Sequence, residues 1–279
     1  MEIVQRAMTL PKRRHAFTIV PIGDIHLGTR ACDEDLLKAV VDRVAGDPDC
    51  YWVGMGDYCE FINMKDKRFD AKILAPWIGV GDLVDIAQAT MNRLLPILKP
   101  IAKKCLGLIK GNHEGIIERH SEYNVFSNIL NYIKEKGELK NEHLNLGFMG
   151  YLLLSCKHST SSTTVKIIAM HGAKASELAG AKALNMQRWL WTHDCDVTMI
   201  AHNHDDNARR EVVHVVNGNG TITETVRRGV YTGSFYRTNV VGASTYGELK
   251  QMLPLPLGGC ELRITPFADN PGNKVRVIT

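Results

Sequence analysis

Three short apolar runs, each the length of one buried strand and each followed closely by glycine and a polar residue, set the tightest limit on how this chain can fold. Ala16 to Pro21 leads to Gly23-Asp24, Tyr51 to Met55 to Gly56-Asp57, and Cys105 to Ile109 to Gly111-Asn112. Between the first two, Asp33 to Val44 carries Leu36, Leu37, Val40, Val41 and Val44 at helical spacing. Between the second and third, Val84 to Lys104 is again helical in period, although Pro96 and Pro100 must kink or split it. Strand, helix, strand, helix, strand in this order predicts a parallel sheet covered by helices.

Further along, Ile116 to Lys136 reads as a helix, and Phe148 to Cys156 with Thr164 to Met170 as a hairpin whose tip, His158 to Thr163, is polar. A helix over Ala175 to Thr192 leads into a buried strand at Val197 to Ile200. The last third is mainly β: Val212 to Val216, the turn signal Asn217-Gly218-Asn219-Gly220, Thr221 to Val226, Val230 to Phe235 and Cys260 to Thr265. Neither a repeat nor a separating linker interrupts the pattern. The expectation is one α/β domain (α+β in some schemes) over residues 1–279, with a helical insertion at about 62–104 and a β-rich C-terminal part at about 209–279.

Composition narrows the setting. Lys and Arg number 34 against 30 Asp and Glu, so a net charge of +4 permits an anionic substrate without marking a nucleic-acid binder by charge alone. Seven scattered cysteines with no C-x-x-C pair fit a reducing compartment, hence the cytoplasm. Lys12 to Arg14 before Ala16 to Ile22 superficially resembles an export signal, but the apolar part is short and runs straight into Gly23-Asp24-Ile25-His26. Lys99, Lys103, Lys104 and Lys110 break the most hydrophobic region, so no membrane span is expected.

Five segments place metal-binding residue types after strands: Asp24 and His26, Asp57, Asn112 with His113, His171, and His202 with His204. Carboxylate, imidazole and amide oxygen together suit borderline or hard divalent cations. Residues two apart in extended chain point the same way, so Asp24 and His26 can grip one ion, as can His202 and His204. Loops at the carboxyl ends of parallel strands converge on one crevice, and Gly56 and Gly111 allow tight turns before Asp57 and Asn112. Singly these signals are weak: a lone His is more often a surface or satisfied core residue, and Gly-Asn-His can be a plain turn. In this order, each after an apolar strand, they read as one site.

Gly23-Asp24-Ile25-His26, Gly56-Asp57, Gly111-Asn112-His113-Glu114, His171-Gly172 and Ala201-His202-Asn203-His204 resemble the five motifs of calcineurin-like metallophosphoesterases. That resemblance implies a β-sandwich flanked by helices with a dinuclear metal site at the strand ends. It implies two divalent ions per chain, Mn first among them and Fe, Zn, Co or Ni as alternatives. One ion would be held by Asp24, His26 and His204, the other by Asn112, His171 and His202, with Asp57 bridging. A hydroxide between the ions would be the nucleophile, and His113 would protonate the leaving oxygen or stabilise phosphoryl charge. Tyr231-Thr232-Gly233-Ser234-Phe235 looks like the Asn-Pro-Gly-Ser strand end that follows the family's last histidines. One departure is Ala201, where the family usually has glycine; a positive φ there would strain the loop.

The motifs divide on substrate. Asp24-Ile25-His26-Leu27-Gly28 resembles the DNA-repair exonuclease branch, whereas Gly111-Asn112-His113-Glu114 ends as in protein Ser/Thr phosphatases and purple acid phosphatases, with Tyr58 matched but no Arg after Glu114. Phe235 to Leu257, with Tyr236-Arg237-Thr238 and Leu253-Pro254-Leu255-Pro256-Leu257, is similar to uncharacterised phage-encoded members. The expected activity is that of a phosphodiesterase or nuclease on DNA, RNA or a nucleotide. A phosphomonoesterase is the alternative on the same fold, and an inactive binding scaffold the alternative of another class. Arg209, Arg210, Arg227 and Arg228 flank the Asn217 to Gly220 turn. With the turn centred on Gly218-Asn219, Arg210 opposes Arg227 and Arg209 opposes Arg228, an arrangement that invites an anionic substrate. A register two residues away opposes Glu211 to Arg228 instead, a plain ion pair. Trp189 and Trp191 read as core or interface.

Overall fold

The first two strands of the chain go to different sheets. The structure, a computed structural model, describes residues 1–62, 69–121, 123–172 and 178–279. β1 (Glu2–Thr9) buries only Val4 and Met8 of its apolar residues. β2 (Phe17–Ile22) is buried at every position, as a strand covered on both faces must be. α1 (Glu34–Gly46) starts where the Asp33 side chain accepts from the Leu36 amide at 3.1 Å, carries Glu34 and Asp35 in its first turn, and buries Leu37, Val41 and Val44.

After β3 (Cys50–Gly54), the stretch expected to be kinked or split by its prolines is split. α2 (Ile86–Leu98) contains Pro96, and a 3₁₀ turn, Lys99–Lys104, follows with Pro100 near its start. Residues 63–68 of the expected insertion lie outside the described residues. After β4 (Cys105–Leu108) the chain makes two helices where one was expected, α3 (Asn112–Ser121) and α4 (Val125–Lys136). The break falls at Asn124, whose side chain accepts from the Ser127 amide at 2.9 Å and so begins a new helix.

β5 (Met149–His158) and β6 (Ser161–Met170) pair antiparallel out to His158 opposite Ser161, with Ser159 at φ 53° in the turn. The polar tip is therefore a tight hairpin end and not the longer loop its composition suggested. α5 (Ala179–Thr192) follows; the first part of the helix expected from Ala175 lies outside the described residues. The remaining elements are β7 (Val197–Ile200), β8 (Ala208–Val216), β9 (Ile222–Tyr231), the single turn α6 (Tyr246–Leu249), β10 (Glu261–Ile264) and β11 (Val275–Ile278).

These strands form two sheets, in the orders β11-β10-β2-β3-β4 and β1-β5-β6-β7-β9-β8. The parallel unit β2-β3-β4 is the one expected from the apolar runs, and it carries an antiparallel edge through β10. Side chains of both sheets meet in one core that includes Val4, Ile19, Val53, Leu152, Ile167, Met199, Val230 and Leu262. A second core, with Leu37, Trp52, Leu94 and Ile129, lies between the first sheet and α1, α2 and α4. On the far side, Met186 and Leu190 of α5 cover Ile168, Ile200 and Tyr231. The result is a mixed α/β sandwich flanked by helices. Trp189 packs against the α5 core while Trp191 is exposed. All seven cysteines are buried and unpaired. Among the described residues no helix is long and apolar enough to cross a membrane.

Candidate metal centre

β2, β3, β4, β6, β7 and β9 end along one rim, and the polar motifs follow directly. The Asp24 amide donates to Gly56 O at 2.9 Å, and the Ile25 and His26 amides donate to Asp57 O at 2.9 and 3.1 Å, so the first two motifs are zipped together. Gly56, at φ +87°, packs on Gly111 so closely that a Cβ on Gly111 would stand 2.1 Å from the Asp57 nitrogen. The third motif is clasped to the second by Glu114. One of its oxygens accepts from Gly111 N (2.8 Å) and Asp57 N (3.0 Å), the other from Tyr58 N (2.8 Å). Burial pushes this carboxyl up to about 7, while the amide bonds favour its anion.

Asp24, His26, Asp57, His202 and His204 all have positive φ, from 47° to 69°. Non-glycine residues in that region cost roughly 1–3 kcal/mol each and persist where the surroundings hold them, as functional sites do. Ala201 is not among them, so the strain considered for it does not arise; the left-handed turn falls on His202 instead.

Three groups of donors result, two at the metal motifs and a third of His26, Glu60 and His113 beside them. In the first, His204 Nε2 lies 3.6 Å from Asp24 Oδ1 and 3.3 Å from His26 Nε2. In the second, Asp57, His171 and His202 converge, and Asn112 Oδ1 is 2.7 Å from His171 Nε2. Asp57 faces both. Its Oδ1 accepts from the His113 amide at 2.9 Å, which leaves Oδ2 at 3.0 Å from His171 Nε2 and 4.0 Å from His26 Nε2.

The electrostatics favour a cation. Burial works against charge on His171, yet Asp57 raises it to about 10; burial likewise opposes charge on His26, yet Glu60 raises it to about 9. His202, by burial first and then by His171, is held down to about 4, and His204, by burial and His26, falls well below its ordinary value. Those two are neutral, the form that ligates metal. Asp24, raised to about 6 by burial, accepts from His202 N through Oδ2 at 2.7 Å, but its Oδ1 is buried with no hydrogen-bond partner. An orphaned carboxylate oxygen whose nearest imidazole, that of His204 at 3.6 Å, is held neutral fits a bound cation.

His113 sits at the start of α3 with Nδ1 donating to Glu60 O at 2.6 Å and its ring edge-on to His26 at 4.9 Å. The bond to a carbonyl fixes a proton on Nδ1 and leaves Nε2 as the exchanging nitrogen. Sequence reasoning missed two neighbours. Glu60 holds His26 Nδ1 at 2.7 Å through its carboxylate; the signal was an acidic residue in the Gly-Asp loop, set among the apolar Tyr58, Cys59 and Phe61. Tyr236 lays its ring against His26 and His204 at 5.2 and 5.6 Å. The strand end after β9 serves the site from behind, since Ser234 Oγ and Phe235 N both donate to Asp24 O, at 3.0 and 3.1 Å.

The four hairpin arginines stand elsewhere. Arg210 opposes Arg228 and Glu211 opposes Arg227, a register midway between the two considered. Arg227 donates to Leu190 O, Arg228 to Val275 O and Gly272 O, and Arg209 pairs with Glu211. Arg228 aligns with Val197 at the start of β7, whereas His202 follows its end, about 15 Å further along.

Residues 17–233 match the calcineurin-like phosphoesterase family. Among solved structures the chain is similar to Haemophilus influenzae NAD nucleotidase (10% identity, 95% of this chain and 49% of that one, TM-score 0.39). It is also similar to Chaetomium thermophilum Vps29 (12%, 94% and 95%, TM-score 0.32) and the calcineurin-like phosphoesterase YfkN of Bacillus subtilis (10%, 95% and 90%, TM-score 0.34). The chain spans about half the length of the nucleotidase. A comparison with curated proteins returns no match. From the match over most of its length, and with the family's motifs gathered at one rim, the chain belongs to the calcineurin-like phosphoesterase family.

Proposed function

We propose that the chain, read as a single domain, is a metal-dependent phosphodiesterase acting on nucleic acid or nucleotides, with two divalent cations at the rim. Family and donor clusters together point to divalent metal ions and a phosphoester hydrolase. The observation that carries the two-ion reading is Asp57 Oδ2, which faces a donor group on either side. Asp24, His26 and His204 would hold one ion and Asn112, His171 and His202 the other. Bound there, such ions supply an activated water at neutral pH and positive charge against the phosphoryl oxygens. Mn²⁺ is the first metal to test, ahead of Fe, Zn, Co and Ni.

The chain's own residues do the rest. Glu114 and the His113 amide fix Asp57, so its Oδ2, which faces His171, does not have to reorganise. Glu60 turns His26 by its Nδ1 and, through its carbonyl, turns His113 so that Nε2 can pass a proton to a leaving alkoxide. The diester reading is supported by the exonuclease-like Leu27-Gly28 after His26. The phosphatase-like Glu114 does not weigh against it, because that carboxylate is occupied by backbone amides.

The test is a substrate panel run with Mn²⁺ and with no added metal: bis-p-nitrophenyl phosphate, p-nitrophenyl phosphate, cyclic nucleotides, and single- and double-stranded DNA and RNA. Faster metal-dependent hydrolysis of diesters is expected. Turnover of the monoester alone would make the chain a phosphomonoesterase, and bound metal with no turnover a binding scaffold.

A further inference from the structure

A cavity lies far from the rim. It has a volume of about 540 Å³ and is lined on the outer face of β10 and β11 by Arg263 and Arg276, with Arg14, Thr265, Asn270 and Asn273 around them. Arg263 and Arg276 are direct cross-strand partners, and Arg263 also aligns with Thr18 near the start of β2. Thr18 lies near the start of β2 and Asp24 just past its end, so the cavity and the metal centre occupy opposite ends of the sheet.

Like charges directly opposite on antiparallel strands destabilise the pair. Among the described residues no carboxylate pairs with either arginine. Among the described residues the Arg263 guanidinium has no hydrogen-bond or ion-pair partner, and Arg276 reaches only Asn273 Oδ1 at 3.1 Å. Asp269, the one carboxylate lining the cavity, is already paired with Arg14. Three arginines against one aspartate leave a formal +2. The positive field extends further, because Arg228, lowered first by burial, is lowered also by Arg210 and by Arg276.

The neutral lining is of the donating kind. Asn270 Oδ1 already accepts from the Gly272 amide at 2.8 Å and Asn273 Oδ1 from Arg276, while the N–H groups of both side chains remain to be offered to an anion. Guanidinium forks, amide donors and a hydroxyl around a +2 cavity match a phosphate dianion in charge and geometry, whereas one carboxylate would neutralise half of it. We propose that this cavity is a second anion site that binds phosphate groups through Arg263 and Arg276. The site is independent of what the metal centre hydrolyses. Its phosphate is supplied either by a free phosphoanion or by the backbone of a nucleic-acid strand.

The experiment measures binding of inorganic pyrophosphate, and separately of a single-stranded oligothymidylate, to the full chain by calorimetry with and without chelator. The wild type is compared with R263A/R276A and R263K/R276K. A pyrophosphate site that survives chelation is expected, weakened about tenfold or more in the alanine variant and less in the lysine variant. Without ligand, R276A melts at a higher temperature than the wild type, because the facing charges are relieved. Hydrolysis of bis-p-nitrophenyl phosphate is unchanged in both double variants, which separates this site from the metal centre. Parallel loss of oligonucleotide binding identifies a strand as the source, and loss for pyrophosphate alone a free phosphoanion. Equal affinities for both probes in wild type and R263A/R276A, or no chelation-resistant site in the wild type, overturn the proposal.

Discussion

Glu114 has no access to solvent, and three backbone amides point at its two oxygens. Glu114→Gln replaces one acceptor with an N–H₂ group that must face an N–H donor. It is expected to cost about 1–3 kcal/mol in urea denaturation and to lower turnover, because the Asp57 amide loses its anchor. An unchanged midpoint would mean that the loops are held without it. His113→Ala is expected to keep the bound metal and the fold but to lose roughly 10²–10⁴-fold in rate on an alkyl or nucleoside ester. The loss shrinks on a nitrophenyl ester, whose weakly basic oxygen departs without a proton. Equal losses on both would assign His113 to charge stabilisation instead. Most side chains at the rim could be named from the sequence because their types are rare after apolar runs. Glu60 was not, since its one signal, an acidic residue among apolar neighbours in the Gly-Asp loop, does not say that it meets His26 at 2.7 Å.

At the level of elements, the meeting of two turns decides the geometry. Gly111→Ala would set a methyl against the Asp57 backbone and side chain, at 2.1 and 2.2 Å before relaxation. The variant is expected to lose at least about 1–3 kcal/mol of stability and its activity with it, whereas Gly46→Ala in α1, where a Cβ meets nothing, is expected to melt close to the wild type. Similar melting of the two variants would show that the turns can separate. The buried strands β2, β3, β4 and β7 could be read from their apolar runs. β1 could not, because an edge strand burying only Val4 and Met8 has neither a run nor a strict alternation. The start of α3 was hidden for a related reason: Asn112, His113 and Glu114 form its first turn, and their polarity masks helical period. The β8–β9 register, which decides what the arginines face, depends on turn geometry that composition leaves open.

Across the whole molecule, the sandwich brings donors from both sheets to one rim, so cations held there would tie the sheets together. Chelation is therefore expected to lower the melting temperature, since ligand at one hundred times its dissociation constant stabilises the folded state by about 2.7 kcal/mol. No change on chelation would mean that the site is held without metal. Periodicity placed the donors on strand ends, but the second sheet closing over the first was implied by the family resemblance alone, because the core between them is built from residues far apart in the chain, such as Ile19, Ile167 and Val230. The most direct test of the account is the metal content of the purified chain and of Asp57→Ala, measured by elemental analysis beside hydrolysis of bis-p-nitrophenyl phosphate. The account predicts two divalent ions per wild-type chain with metal-dependent turnover, and a folded Asp57→Ala variant that loses tight binding of at least one ion and all turnover. An Asp57→Ala variant with two tightly bound ions and normal hydrolysis would contradict it.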